Sequence, residues 1–573
     1  MNIKKVLQSL HLLVAISLIA TQTTCLQAQG INFVNPILKG FYPDPSIVKV
    51  NNDYYLVNST FSFYPGLPIF HSTDLKNWKQ IGNAIERNSQ MQFLNQRTTR
   101  GLFAPGISYN NGTFYIACTN IDYRGNFVIT AKNPAGPWSD PVWLPKVRGI
   151  DPSIDFVDGK AYIIFNSDAP DNKPLYSGHR TIKMYEFDPV KLEVIGEEKI
   201  LVNGGVDLSK KPVWIEGPHL FKRNGWYYIT AAEGGTSVNH SQVVFRSKEV
   251  WGPYVPWDKN PILTQRHLPA DRKDPITSTG HAQLVDGPDG KTYAVFLACR
   301  PYTGDYYNTG RETFIAPVDW VDEWPVINPG KEEVQYAYTA GFAEQPQKDA
   351  PPQSGNFAYN VKFEDRLDYS WLFLRGLDSS LYTISKKDGL TMKLKPETIM
   401  DLKIPAFIGK RQQHLYCTAE TEMRFKAANE NEKAGFMIYQ DEYHYYYICQ
   451  SLKNGKPVVQ LFKGNRQGKD MELITEASLP AKTKGLQLKI EAAGEQYHCY
   501  YAVKKGQWMP LQKNLDGKLL STRTAGGFTG CIFAFYATSA GKPNNNAATY
   551  SYFSYVGNDP MYPTKAVAVS KSK

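Results

Sequence analysis

EGPHLFKRNGWYYITA, residues 216 to 231, sets a carboxylate against a Gly-Pro bend and then runs two alternating strands through an Asn-Gly turn. Asn-Gly between alternating runs is the strongest short hairpin signal, because both turn positions need a positive φ to match the twist of the strands. Taken alone, Glu216 reads as a solvated loop residue. The same pattern recurs in DPSIVKVNNDYYLVNS from Asp44, APGISYNNGTFYIACT from Ala104, DPSIDFVDGKAYIIFN from Asp151 and GHAQLVDGPDGKTYAVFL from Gly280. Each copy has a small or acidic opener, an alternating strand, a turn rich in Asn, Asp and Gly, and a second strand of aromatic and β-branched residues. The openers lie 60, 47, 65 and 64 residues apart. A repeat of that size built on antiparallel hairpins predicts propeller blades of about four strands each. Five copies predict five blades; the competing arrangement is five unrelated hairpins in a β-sandwich.

A propeller makes a statement about chemistry. The innermost strand of every blade runs beside the central axis, so equivalent openers meet at one end of it. Three openers are acids, Asp44, Asp151 and Glu216, and the fold would bring them into one pocket although they are far apart in sequence.

The chain has 573 residues, more than one core organises, and 42% hydrophobic with 21% charged residues marks it as globular. Its 36 Tyr and 11 Trp favour β structure and suit carbohydrate binding, since these rings combine flat apolar faces with polar edges. The net charge of +10 is dispersed, with no Lys/Arg block of the kind that marks a nucleic-acid partner. Residues 1–28 combine a basic start, an apolar run too short to span a membrane, and a cleavage point near Ala28: the pattern of a secretory signal. Export to the periplasm or the medium follows, with lipid anchoring at Cys25 as the weaker alternative. The remaining cysteines have no CxxC spacing and read as buried thiols, with room for one disulfide in the C-terminal half. Nothing in the sequence sets an oligomeric state.

The expected organisation is all-β: a five-bladed propeller over residues 31–335, a linker rich in Pro, Gln and Ser over 336–356, and a concanavalin-like β-sandwich over 357–560. Three converging acids without a Cys cluster or HExxH do not resemble a zinc centre, and the openers lack the closely spaced oxygens of a calcium loop. Glycoside hydrolysis needs one carboxyl kept protonated for the leaving oxygen and one ionised to activate water or attack carbon. A third acid nearby raises the proton donor's pKa by like-charge repulsion. The set is complete for that reaction, and no cofactor is required.

NPILKGFYPDPS, APGISYNNGTFY, GIDPSIDF, WIEGPHLFK, STGHAQLV and GRETF resemble glycoside hydrolase family 43. FIGKRQQH and GGFTGCIF are similar to the sandwich of that family's two-domain β-xylosidase and α-L-arabinofuranosidase members. The resemblance implies a five-bladed propeller and inverting hydrolysis, with Asp44 as general base, Glu216 as general acid and Asp151 tuning and orienting that acid. It also implies that Arg311 reaches the sugar and the acids, and that His281 lies by the pocket floor near an axial calcium or water. A polar plug in the axis is the other reading of His281. Phe61 and Phe103 flank openers and are candidates to wall a sugar subsite, although Phe103 stands where many members carry Trp. Phe528 matches the aromatic that the sandwich lends to close the pocket, whereas Ile532 replaces a second expected Phe. Trp214 reads as packing between blades. Gln413 and His414 read either as approaching the pocket or as serving strand pairing. The implied activity is exo-acting release of α-L-arabinofuranosyl or β-D-xylosyl units from hemicellulose or arabinan oligosaccharides. An endo-acting arabinanase and a non-catalytic carbohydrate-binding propeller are the alternatives.

Overall fold

A computed structural model of the chain describes residues 30–466 and 471–563, and the backbone of 570–571. The signal segment and Cys25 lie outside the described residues. Five antiparallel sheets, four of four strands and one of five, follow one another along the first half in sequential strand order, except that the last strand of the five-stranded sheet, Leu263–Thr264, pairs with its third, Ser241–Ser247. Their opening hairpins are Ser46–Val50 with Asp53–Val57, Gly106–Asn110 with Thr113–Asn120, Ile150–Val157 with Lys160–Asp168, Glu216–Arg223 with Trp226–Glu233, and Thr277–Asp286 with Thr292–Cys299. First strands of neighbouring sheets touch in a closed cycle, so the sheets are the five blades of a propeller.

The serine of the first Asp-Pro-Ser step is a tie between blades. Ser46 Oγ donates to Gln283 Oε1 of the fifth blade at 2.8 Å and accepts the Ile107 N–H of the second at 2.9 Å. In the third blade, Ser153 Oγ sits 2.9 Å from Pro218 O, and Asp155 Oδ2 accepts the Leu220 N–H at 3.0 Å. The ring closes where the N-terminal segment lies against the last blade, with the Ile37 N–H donating to Thr313 O at 2.9 Å. Ile31–Val34 also pairs with Ala337–Ala340. The segment expected as linker from residue 336 therefore opens with a strand.

The second half is a β-sandwich. One six-stranded sheet runs Ala406–Arg411, Ile532–Thr538, Lys433–Asp441, His444–Lys453, Lys456–Lys463, Glu472–Ser478, and it faces a larger sheet centred on Tyr416–Arg424. Alternation along these strands packs Phe436, Phe533, Phe535, Tyr550 and Phe553 into the shared core. Cys118, Cys299, Cys417, Cys449, Cys499 and Cys531 are all buried free thiols, so the disulfide allowed for the C-terminal half is not formed among them. Among the described residues no helix is long and apolar enough to cross a membrane.

The domains are joined by main chain and by charge. Phe63–Tyr64 of the propeller pairs with Phe373–Leu374 of the sandwich. Nearby, Asp559 Oδ2 accepts from Lys39 Nζ at 2.8 Å and from Arg300 Nη1 at 2.7 Å, while Arg300 also forks onto Glu312 at 2.6 and 3.0 Å. All four side chains are fully buried. Burial pushes the Lys39 amine down to about 7. Gln413 and His414 belong to this joint and not to the pocket. Gln413 Nε2 donates to Lys39 O at 3.1 Å, and His414 lies 3.0 Å from both Tyr555 Oη and Gly355 O. Removing one partner of a buried ion cluster strands the others, at a cost of about 3–5 kcal/mol. Asp559→Ala should lower the unfolding free energy by that amount in denaturant titration. A loss below about 1 kcal/mol would mean that the cluster does not hold the domains.

Candidate active site

In four of the five blades the opener region shares a backbone feature, which Ala104 of the second blade lacks. Asp44, Asp151 and His281 have φ of 51°, 53° and 53°, and Gly217 has 56°. Counting back from the first residue of each unbroken hairpin register, Ser46, Gly106, Ser153 and His219, places Asp44, Ala104, Asp151 and Gly217 at one equivalent step. His281 takes that step in the fifth blade. The sequence alignment, which set Glu216 level with Asp44 and Asp151, is thus one residue out: Glu216 precedes the left-handed step, and Gly217 occupies it. Only glycine fits there, because a Cβ would meet His281 Nε2 at 2.7 Å.

Asp44, Asp151, Glu216, His281, Arg311, Phe61, Phe103 and Phe528 line a single cavity of about 280 Å³. The three acids are 4%, 7% and 5% exposed, so each carboxyl is largely withdrawn from water. Arg311 grips Asp44 with both terminal nitrogens, Nη1 to Oδ1 at 2.9 Å and Nη2 to Oδ2 at 3.3 Å. Ser59 Oγ donates to Asp44 Oδ2 at 2.5 Å. Asp151 Oδ2 accepts the Gly217 N–H at 3.2 Å. Burial, and then the charge of Asp44, push the Asp151 carboxyl up to about 7. Burial, and then the charges of Asp151 and Asp44, hold Glu216 well above the usual carboxylate range. One acid is thus paired with a fixed cation while the two others are driven toward their protonated forms.

The aromatic side of the cavity is assembled from both domains. Phe61 stacks on Phe528 at 5.8 Å between centroids, and Phe103 meets both rings edge-on, at 5.5 and 5.7 Å. The Phe528 N–H donates to Thr99 Oγ1 at 2.7 Å, which anchors the sandwich loop to the propeller. Ile532 lies buried in the apolar cluster behind this wall, beside Phe41 and Phe61. Trp214 is not interior packing: it is half-buried, carries φ 60° and lines the cavity with Val213, Gly235 and Thr236. The sequence offered no repeat for these last residues, since they lie in loops between strands.

His281 Nδ1 lies 3.8 Å from Asp44 Oδ1. Burial holds its imidazole, and those of His219 and His240, below the ordinary range. Calcium takes about six to eight oxygen ligands. His281 offers nitrogen, the adjacent carboxylate is already bridged by Arg311, and among the described residues no three His, Cys, Asp or Glu side chains group to hold a metal. These side chains do not supply a calcium shell, and no step below passes through one.

A pocket of three carboxyls and one arginine on a propeller axis, walled by an aromatic from an appended sandwich, defines a hydrolase that works on the end of a saccharide chain. Comparison with known proteins agrees. Residues 33–325 match the model described as glycosyl hydrolases family 43, and residues 360–556 match the beta xylosidase C-terminal concanavalin A-like domain. The chain belongs to glycosyl hydrolase family 43 and is an exo-acting glycoside hydrolase. It is 37% identical to a xylosidase/arabinosidase of Butyrivibrio fibrisolvens, over 91% of this chain and 98% of that one. It is 36% identical to the non-reducing end alpha-L-arabinofuranosidase BoGH43B of Bacteroides ovatus, over 91% and 94%. A solved family-43 subfamily-12 structure retrieved from the capybara gut metagenome superposes with a TM-score of 0.83 at 40% identity, covering 90% of this chain and 96% of that one.

Gly217→Ala forces a Cβ against His281 in a left-handed backbone. It should cost about 1–3 kcal/mol of stability, measured by denaturant unfolding. Activity should fall with it, because the shift that makes room for the Cβ moves the residue 217 N–H that binds Asp151.

Proposed function

We propose that this enzyme removes α-L-arabinofuranosyl or β-D-xylosyl units from the non-reducing ends of hemicellulose or arabinan oligosaccharides, with inversion. The observation that carries the proposal is the unequal treatment of the acids within one pocket. Asp44 accepts from Arg311 and Ser59, the partners that suit a carboxylate acting as base on water. Glu216 is driven to keep its proton, as an acid for the leaving oxygen must. Asp151 raises Glu216 by its charge and holds the backbone after it through Gly217. Phe528 seals one side of the cavity, which favours terminal units over an open groove for endo cleavage. The names of the two relatives above support the pentose reading. All three acids are present, against a purely binding role. The chemistry is proposed to need no cofactor, and the leader segment supports action outside the cytoplasm.

Asp44→Ala should lower kcat by at least about 10³-fold on any pentoside, and Glu216→Ala by as much on alkyl pentosides, whose leaving oxygen needs a proton, while both leave the unfolding midpoint near wild type. Near-normal turnover by either variant on these substrates would sink the assignment. Proton NMR of the first-formed sugar should show the inverted anomer, and a retained one would remove Asp44 from the role of base. The pH profile of kcat/KM should lose activity on its alkaline side as Glu216 gives up its proton. Because its pKa is raised, activity should persist above the range of an ordinary glutamate. Activity unchanged after chelation would support the cofactor-free reading.

A further inference from the structure

Glu216 is flanked by two backbone groups, and both are held from the third blade. The Gly217 N–H after it is bound by Asp151. The Ile215 carbonyl before it accepts from Asn166 Nδ2 at 2.5 Å. Asn166 is fully buried toward the end of its strand, directly after the apolar run of residues 162–165, where an amide costs free energy unless it is bonded. Its other end is bonded too: Asn166 Oδ1 accepts from Arg180 Nε at 3.2 Å and Nη2 at 2.8 Å. Arg180 begins the next strand of the same blade, bonds Asp168 with its remaining arm, and lays its guanidinium over the Trp214 ring, 4.7 Å from the centroid.

Trp214 is the residue that this chain of contacts constrains. A bulky residue at φ 60° is strained, at a cost on the order of 1 kcal/mol or more, and persists only where its surroundings hold it. The Trp214 N–H donates to Gly178 O at 2.9 Å, and Val213 O accepts the Gly234 N–H at 2.8 Å. With Asn166 on Ile215, three consecutive residues before the acid are pinned, and the indole lines the cavity beside Glu216.

We propose that Asn166 and Arg180 are positioning residues for Glu216, acting through Ile215 and Trp214 to aim its carboxyl at the leaving oxygen. This inference rests on the reading of Glu216 as general acid. Neither residue touches the cavity, and neither is a catalytic residue.

The leaving group separates positioning from mere support of the fold. A dinitrophenyl glycoside expels its aglycone without a proton, whereas an alkyl glycoside of the same sugar requires the acid. Arg180→Ala, Arg180→Lys and Asn166→Asp would be assayed on both substrates beside Glu216→Gln, with circular dichroism and thermal unfolding confirming folded protein. The expected result is a loss of about 30- to 100-fold in kcat on the alkyl glycoside, with less than about threefold on the dinitrophenyl glycoside, for Arg180→Ala and Asn166→Asp. Arg180→Lys keeps the charge but not the fork onto Asn166, and should recover only part of the loss. Equal losses on both substrates, while Glu216→Gln still discriminates between them, would overturn the positioning role and leave the acid in place. If Glu216→Gln itself does not discriminate, the acid reading fails and this proposal falls with it. Should Arg180→Ala not fold, Asn166→Asp and Arg180→Lys decide the question by the same ratio.

Discussion

One guanidinium set among three buried carboxyls is the constraint on which the site depends. A carboxylate taken out of water costs several kcal/mol unless a partner replaces its hydration. Arg311 spends both terminal nitrogens on Asp44, and it reaches Asp151 and Glu216 only through its field. Asp151 and Glu216 have no cation bound to them directly, and they meet the field of Asp44 as well as their own burial. Protons settle where charge is least compensated. The three acids are therefore treated unequally, one bonded by the arginine and two left to their burial and to the field of the first.

The appended sandwich is bound up with that placement. Arg311 and Glu312 are consecutive where a strand begins, and successive side chains on extended backbone point opposite ways. Arg311 faces the axis and holds Asp44, while Glu312 faces the joint and holds Arg300, which holds Asp559 of the sandwich. The same domain sends Phe528 back over the cavity, where it lies 5.4 Å from the Arg311 guanidinium. Docking of the second domain thus fixes the arginine from behind and covers it in front. The cavity's shape and its charge balance come from one interface.

Much of this was legible in the chain. Turn residues between alternating runs marked the five hairpins, and the recurrence of Asp-Pro-Ser marked two of the three acids, because a repeated local pattern forces a repeated local geometry. Arg311 and Phe528 were reached through resemblance, and Phe61, Phe103 and His281 through their places at or beside blade openers; the fold brings all of them to one cavity. What stayed hidden depended on contacts without sequence period. Trp214 looked like packing because an aromatic beside a strand usually is, and only its left-handed backbone and exposed edge reveal another use. Arg180 and Ser59 lie in stretches whose partners are set by tertiary approach. Asn166 stands where the apolar run YIIF gives way to Ser167 and Asp168, so the sequence alone does not tell its buried amide from an ordinary strand end.

The one-residue displacement of Glu216 shows how a repeating frame can hold unlike acids. Had the fourth blade carried an acid at the left-handed step, its backbone would have matched that of Asp44 and Asp151. Glycine stands there instead, and three consequences follow. The missing side chain lets the His281 ring pack against the backbone. The Gly217 N–H turns toward Asp151 and draws that acid against the strand of the next blade. Glu216 is left on the preceding residue, where its own backbone neighbours are bonded by Asp151 on one side and Asn166 on the other. Symmetry brings the blades to the axis, and this local break in it gives Glu216 a bearing that the other acids do not share.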